Sequence, residues 1–237
     1  MNLFLLLQTT AAEAMPVLSD VNATTEEAKQ SMDLLDMTIK GGWLMIPLFL
    51  LSFLAIYIFI ERLRIINRAS KEDPTFMNRI KDYILDGKTE SAVKLCKQAD
   101  TPSSRMIEKG ISRIGRPMND VQIAVENIGN IEVAKLEKGL SVLASVAGGA
   151  PMIGFLGTVT GMVQAFFDMA NAGNNVDITV LSSGIYTAMV TTVGGLIVGI
   201  CAFFAYNYLV TRVKNIVNTM ETRIMEFMDL LNEPVKK

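Results

Sequence analysis

The chain has 237 residues, 50% of them hydrophobic and 19% charged, with a formal net charge of -2. That balance gives no electrostatic reason to expect a nucleic-acid partner, and the absence of histidine removes His metal sites and imidazole proton relays. Cys96 in a charged region and Cys201 deep in an apolar run suggest no disulfide framework, while a mean hydropathy of +0.34, gathered into runs too long for a core helix, points to the membrane.

Residues 1–41 come first. The opening MNLFLLLQTTAAEAM lacks a positive n-region and its apolar block is short, so it reads as an interfacial lead-in rather than a cleaved signal, although Ala12-Glu13-Ala14 leaves a cleavage site open. The helix-prone TTEEAKQSMDLLDMTI continues this lead-in. The first span is 42–60, with Pro47 in its first turns, where a missing N–H costs least. Residues 61–139 form a helical cytoplasmic domain, followed by a second span at 140–167, a short periplasmic link at 168–177, a third span at 178–210 and a cytoplasmic C-terminal helix at 211–237. The second span's 28 residues reach about 42 Å at ~1.5 Å per residue, beyond the ~30 Å hydrocarbon layer. The expected fold is therefore an all-α membrane protein with three transmembrane helices, the last two extending into the cytoplasmic domain.

Charge placement gives the direction. Arg62, Arg64, Arg68 and Lys71 follow the first span at once, Lys135 and Lys138 precede the second, and Arg212 and Lys214 follow the third, whereas the link has no Lys or Arg. Positive flanks face the cytoplasm, so the N-terminus is expected in the periplasm and the C-terminus in the cytoplasm of a multi-pass inner-membrane protein.

Within 61–139, Asp73-Pro74 is expected to open a helix that Gly87 ends, Thr89 to start a second, and Asp100-Thr101-Pro102 a third with Ile107, Ile111 and Ile114 on one face. Gly115-Arg116-Pro117 breaks it. From Met118 no breaker occurs until Gly129, so a long helix is expected to run straight into the second span. In the tail, Val213, Val217, Met220, Ile224, Phe227 and Leu231 make a heptad seam suited to packing along another helix of the same chain. No catalytic triad, phosphate loop or CxxC pair is present, so an enzyme is not expected, nor any cofactor or metal.

The two long spans carry an unusual division. Residues 184–195 read GIYTAMVTTVGG inside a run, Ile178 to Val210, that holds no charged residue. At ~100° per residue, Gly184, Ala188, Thr191, Gly195, Gly199 and Ala202 share one face, with Ser183 and Thr187 on one flank and Thr192 on the other. In the second span Ala147, Ala150, Gly154, Gly157, Thr158, Gly161 and Ala165 fall together, and Pro151 should bend or loosen the helix. Small-xxx-small faces allow close helix approach. The alternative is a lining for a central cavity in an oligomer, where hydroxyls serve a moving proton without the ~2.5–3.5 kcal/mol cost of a mid-membrane charge.

These segments, GFLGTVTG at 154–161 and GIYTAMVTTVGGL at 184–196, resemble the paired motifs of the ExbB/TolQ/MotA family of ion-driven motor proteins. Three spans and a large loop after the first are most like the ExbB/TolQ branch. The resemblance implies a homopentameric ring around an ExbD-type single-span partner that supplies a transmembrane Asp, using the protonmotive force to energise a TonB-type coupling protein for outer-membrane nutrient uptake. It also implies that Thr158 and Thr192 line the proton path; Thr187 and Thr191, on or beside the same small face of the wheel, are expected to line it with them. Gly154, Gly157, Gly161, Gly184, Ala188, Gly195 and Gly199 then pack helices or face the partner. Many ExbB and TolQ proteins carry a glutamate where this chain has Thr187, so a titratable group for proton movement must come from another chain. A TolQ-type role in envelope integrity, or a structural anchor without ion flux, remain the competing functions.

Overall fold

The computed structural model describes residues 42–71, 73–171 and 178–232. The lead-in at 1–41, most of the link and the last five residues of the tail lie outside the described residues. Among the described residues every element is helical: α1 (Met45–Ala69), α2 (Phe76–Leu85), α3 (Thr89–Ala99), α4 (Pro102–Ile111), α5 (Met118–Glu137), α6 (Leu140–Asn171) and α7 (Ile178–Asn232). Three of these stretches are long and apolar enough to cross a membrane, and the chain is an all-α membrane protein.

The punctuation of the helical domain follows its residues. Gly87, at φ +73, closes α2 with two backbone bonds, Gly87 N to Ile84 O at 3.0 Å and Lys88 N to Tyr83 O at 2.8 Å, the pattern that satisfies a helix's last carbonyls. Thr101 caps α4 reciprocally with Ser104. Gly115, at φ +93, separates α4 from α5. Expectations are corrected at Pro74 and at the junction of α5 with α6. Pro74 is not the first helical residue, because Asp73 accepts bonds from Thr75 N and Oγ1 at 2.9 and 2.8 Å and this Asx turn delays α2 to Phe76. Gly129 does not interrupt α5; it is buried beneath the tip of Met106, which lies 2.5 Å from where a Cβ would sit. Nor does α5 run straight into the membrane, since Lys138 is extended (φ -51, ψ 129) and Gly139 has φ +82, so a joint separates α5 from α6. At its other end α6 continues past Phe167 to Asn171.

The 55 residues of α7 extend about 82 Å at 1.5 Å per residue, so one rod crosses the membrane and then serves as the spine of the helical domain. Val213, Ile216, Met220, Phe227 and Leu230 are buried along it. Val213, Ile216, Met220 and Phe227 join one cluster with α1 to α6 that includes Ile66, Ile80, Ile107, Val125 and Leu143. The heptad seam of the tail thus packs within the chain, and Gly110 is small because the Phe227 ring lies directly over it. Ile114, expected on the same face as Ile107 and Ile111, is exposed. Its position beyond the end of α4 takes it off that face.

Candidate functional site

The seam between α6 and α7 is built from the small residues of both. Close approaches pair Gly154 with Gly195, Gly157 with Thr191, Gly161 with Ala188, and Ala165 with Gly184. As the numbers rise along α6 they fall along α7, so the two helices are antiparallel. The approach is close enough that a Cβ on Gly195 would lie 2.6 Å from Ala150 O and 2.8 Å from Gly154 Cα. Large apolar residues such as Met152, Phe155, Met189 and Ile197 are exposed on the opposite faces, as the helical wheel requires. Without a hydrophobic force between helices in lipid, contacts of this kind supply the association.

Pro151 fits the same scheme. It stays inside α6, where it lacks the N–H that would bond the Ala147 carbonyl. Gly199 is the residue that makes room: a Cβ there would meet Pro151 Cγ at 2.5 Å and Ala147 O at 3.1 Å. The proline ring and the carbonyl it frees therefore both face a glycine across the seam.

The four threonines fall in three environments. Thr192 Oγ1 donates to Gly154 O at 2.8 Å, a bond across the seam, and lies 3.4 Å from Thr158 Oγ1. Thr158 Oγ1 itself donates to Phe155 O at 2.7 Å. Both residues are half-buried, at the seam's edge. Thr191, expected on the path, is 2% exposed; its methyl packs over Gly157 and its hydroxyl bonds Thr187 O at 3.1 Å. Thr187 is not brought to the pair, for its methyl lies 4.0 Å from where Gly42 would carry a Cβ, at the start of α1. From Leu140 to Phe167 and from Ile178 to Val210 there is no charged residue, so the hydroxyl pair stands in a region without a carboxylate or cation from these stretches.

A second polar constellation was not read from the sequence. Glu132 is 3% exposed in the middle of α5, held by Arg105 at 2.6 Å and Lys135 at 2.7 Å. Arg105 also pairs with Asp100 at 2.6 Å, and Asp100 with Arg68 of α1 at 3.0 Å. Buried Arg62 of α1 donates to Lys135 O at 3.3 Å and lies against Gly139, the joint between α5 and α6. A chain of charges and one bond to a backbone carbonyl thus tie α1 at two points, to the turn at Asp100 between α3 and α4 and to the end of α5. Burial alone would push the Glu132 carboxyl up, but the bonds and charges of Arg105 and Lys135 outweigh it and hold it below the ordinary carboxylate range. The available signal was that Glu132 shares the spacing of buried Val125, Gly129 and Leu136. No group of three or more potential metal ligands occurs among the described residues.

An antiparallel glycine seam edged by paired hydroxyls, set in charge-free spans and continuous with a helical domain, is the arrangement of an all-α membrane protein with closely packed helices. The profile described as the MotA/TolQ/ExbB proton channel family matches residues 98–222. A putative biopolymer transport protein ExbB homolog of Methanothermobacter thermautotrophicus is 27% identical over 191 residues, covering 79% of this chain and 66% of the relative. Putative biopolymer transport protein ExbB-like 1 of Synechocystis is 30% identical over 77% of this chain and 72% of its own length. The Tol-Pal system protein TolQ of Haemophilus influenzae is 30% identical over 226 residues, 85% of this chain and 94% of that protein. The chain belongs to the MotA/TolQ/ExbB proton channel family.

Proposed function

We propose that this chain is the ring-forming, ExbB-type subunit of a proton-driven motor in the bacterial inner membrane. Its N-terminus is periplasmic, its helical domain and C-terminus cytoplasmic, and five copies surround an ExbD-type single-span partner that brings a transmembrane aspartate. The output is transmitted to a TonB-type protein for nutrient uptake across the outer membrane. The observation that carries this reading is the Thr158–Thr192 pair, 3.4 Å apart on two charge-free spans of a proton-channel family. Hydroxyls there can exchange hydrogen bonds with a proton carrier at little desolvation cost, and one proton crossing ~100 mV releases ~2.3 kcal/mol. A TolQ-type role in envelope integrity is the second reading, favoured by the match over 94% of the TolQ relative's length.

The test is proton flux into vesicles holding the chain with its co-purified partner, under an imposed potential. Thr192→Val and Thr158→Val should each lower flux at least tenfold while leaving the mass of the assembly unchanged, because an interhelical bond of this kind contributes only ~0.6 kcal/mol. Thr192→Ser, which keeps the hydroxyl, should retain flux. Full flux in both valine variants would remove these hydroxyls from the mechanism.

A further inference from the structure

A second groove runs between α1 and α7, and neither threonine of the pair lines it. Its membrane part is a cavity of about 620 Å³ walled by Ala55, Ile56, Phe59, Cys201, Ala205 and Tyr208 among others, within the ~300–1,000 Å³ of ordinary ligand sites. Along α7 its lining runs from Ile197 to Tyr208, eleven steps or about 16 Å of rise. That is close to half of the ~30 Å hydrocarbon layer, the depth of a single leaflet. The groove lies in the leaflet nearer the helical domain, because α1 and α7 both proceed from it into charged sequence.

The chemistry changes at the mouth. One turn beyond Tyr208, Arg212 lies over the tyrosine ring, 5.5 Å from its centroid, and its Nε and Nη2 donate to the tyrosine hydroxyl at 3.2 and 3.1 Å. Among the described residues no carboxylate pairs with Arg212 and its Nη1 has no bonded partner. Beyond it is a recess of about 80 Å³ lined by Ser70, Ser103, Arg212, Asn215 and Thr219. Neither the groove nor the recess is lined by an acidic residue.

We propose that this groove binds one anionic phospholipid of the adjacent leaflet, its acyl chain lying between α1 and α7 and its phosphate on the guanidinium of Arg212. The hydroxyls and amide of the recess receive the rest of the headgroup. An apolar trench one leaflet deep, opening on an unpaired arginine and then on neutral polar groups, repeats the polarity profile of such a lipid. A second copy of the chain would bring a helix that continues across both leaflets. Basic recesses between transmembrane helices at this level take anionic headgroups on general grounds.

The experiment is native mass spectrometry of the detergent-purified assembly titrated with dioleoyl phosphatidylglycerol or dioleoyl phosphatidylcholine. The wild type should retain one phosphatidylglycerol per chain in preference to phosphatidylcholine. Arg212→Gln should weaken retention about tenfold and abolish the preference, and Ala205→Trp, which fills the trench, should reduce retention of both lipids without changing the subunit number. Equal retention of the two lipids by the wild type, or unchanged retention in both variants, would overturn the proposal. Efficient Cys201-to-Cys201 cross-linking between copies in the membrane would overturn it too, by placing a second copy in the groove.

Discussion

Gly195→Ala is the substitution whose consequence can be worked most directly from the seam. The added methyl would lie 2.6 Å from Ala150 O and 2.8 Å from Gly154 Cα. A carbon and a carbonyl oxygen rest at about 3.3 Å or more, so roughly 0.7 Å must be opened, and both obstacles are backbone atoms that no rotamer change can move. Overpacking of this kind costs about 1–3 kcal/mol. The same opening would lengthen the Thr192 Oγ1 to Gly154 O bond from 2.8 Å to about 3.5 Å, at the limit of hydrogen bonding. Gly194→Ala is the matched control: it gains the same helix propensity, but its methyl meets only the flexible end of Met45 at 3.4 Å. Thermal unfolding of the two proteins in one detergent should place Gly195→Ala below Gly194→Ala by about 2–4 °C for each kcal/mol lost, and proton flux should fall only in the former. Equal stability and equal flux would mean that the helices do not meet across glycine backbone in the membrane.

Two further outcomes follow from the helical domain. Glu132→Gln should lower stability at pH 7 by about 1–3 kcal/mol, since it weakens bonds to two cations around a buried group. The folded carboxyl's pKa is depressed, so its stabilisation is present above the unfolded value near 4.3 and is lost as pH falls through the lower folded value. Denaturation curves of wild type and variant should accordingly converge below about pH 4, and a constant gap down to pH 2 would exclude a charged Glu132. Burial, with Glu108 nearby, pushes the Cys96 thiol up to about 12; a water-soluble maleimide at pH 8 should leave it unlabelled until the protein is unfolded, and rapid labelling of the native protein would contradict its buried position.

What could be read from the sequence was what depends on one helix at a time. Span lengths, the stops at Gly87 and Gly115 and the division of both long spans into small and bulky faces need only local chemistry and a period of 3.6. The misread positions depend on a neighbour. Gly129 resembles a breaker until Met106 is seen to occupy its space, and Gly139 marks a joint only once the Arg62 side chain from α1 is seen against it. The partner of Thr192 was likewise hidden, since a wheel assigns a face but not the register between two helices. Glu132 gives no local sign of burial beyond its spacing, since of its compensating cations Arg105 is 27 residues away and only Lys135 is near, at 3.

The hydrogen bonds of the threonine pair set the terms on which any proton carrier could use it. Each hydroxyl has one proton, and both are given to α6 carbonyls, Thr158 to Phe155 O and Thr192 to Gly154 O. The pair therefore presents lone pairs, not protons, to whatever approaches the seam's edge. A protonated carboxylic acid on a partner helix can donate into it with no rearrangement. Once ionised, the same carboxylate is acceptor-only and is received only if a threonine turns its O–H away from its carbonyl. In α6 that carbonyl keeps its own i+4 backbone bond, so the turn exchanges one acceptor for a charged one and costs little. On the proposed function, the protonation state of the partner is thereby linked to the rotamer of two side chains in the seam. The absence of an acid in α6 and α7 at this level is what keeps the linkage directional, because a carboxylate fixed beside the pair would hold the hydroxyls in the ion-accepting arrangement whatever the partner carried.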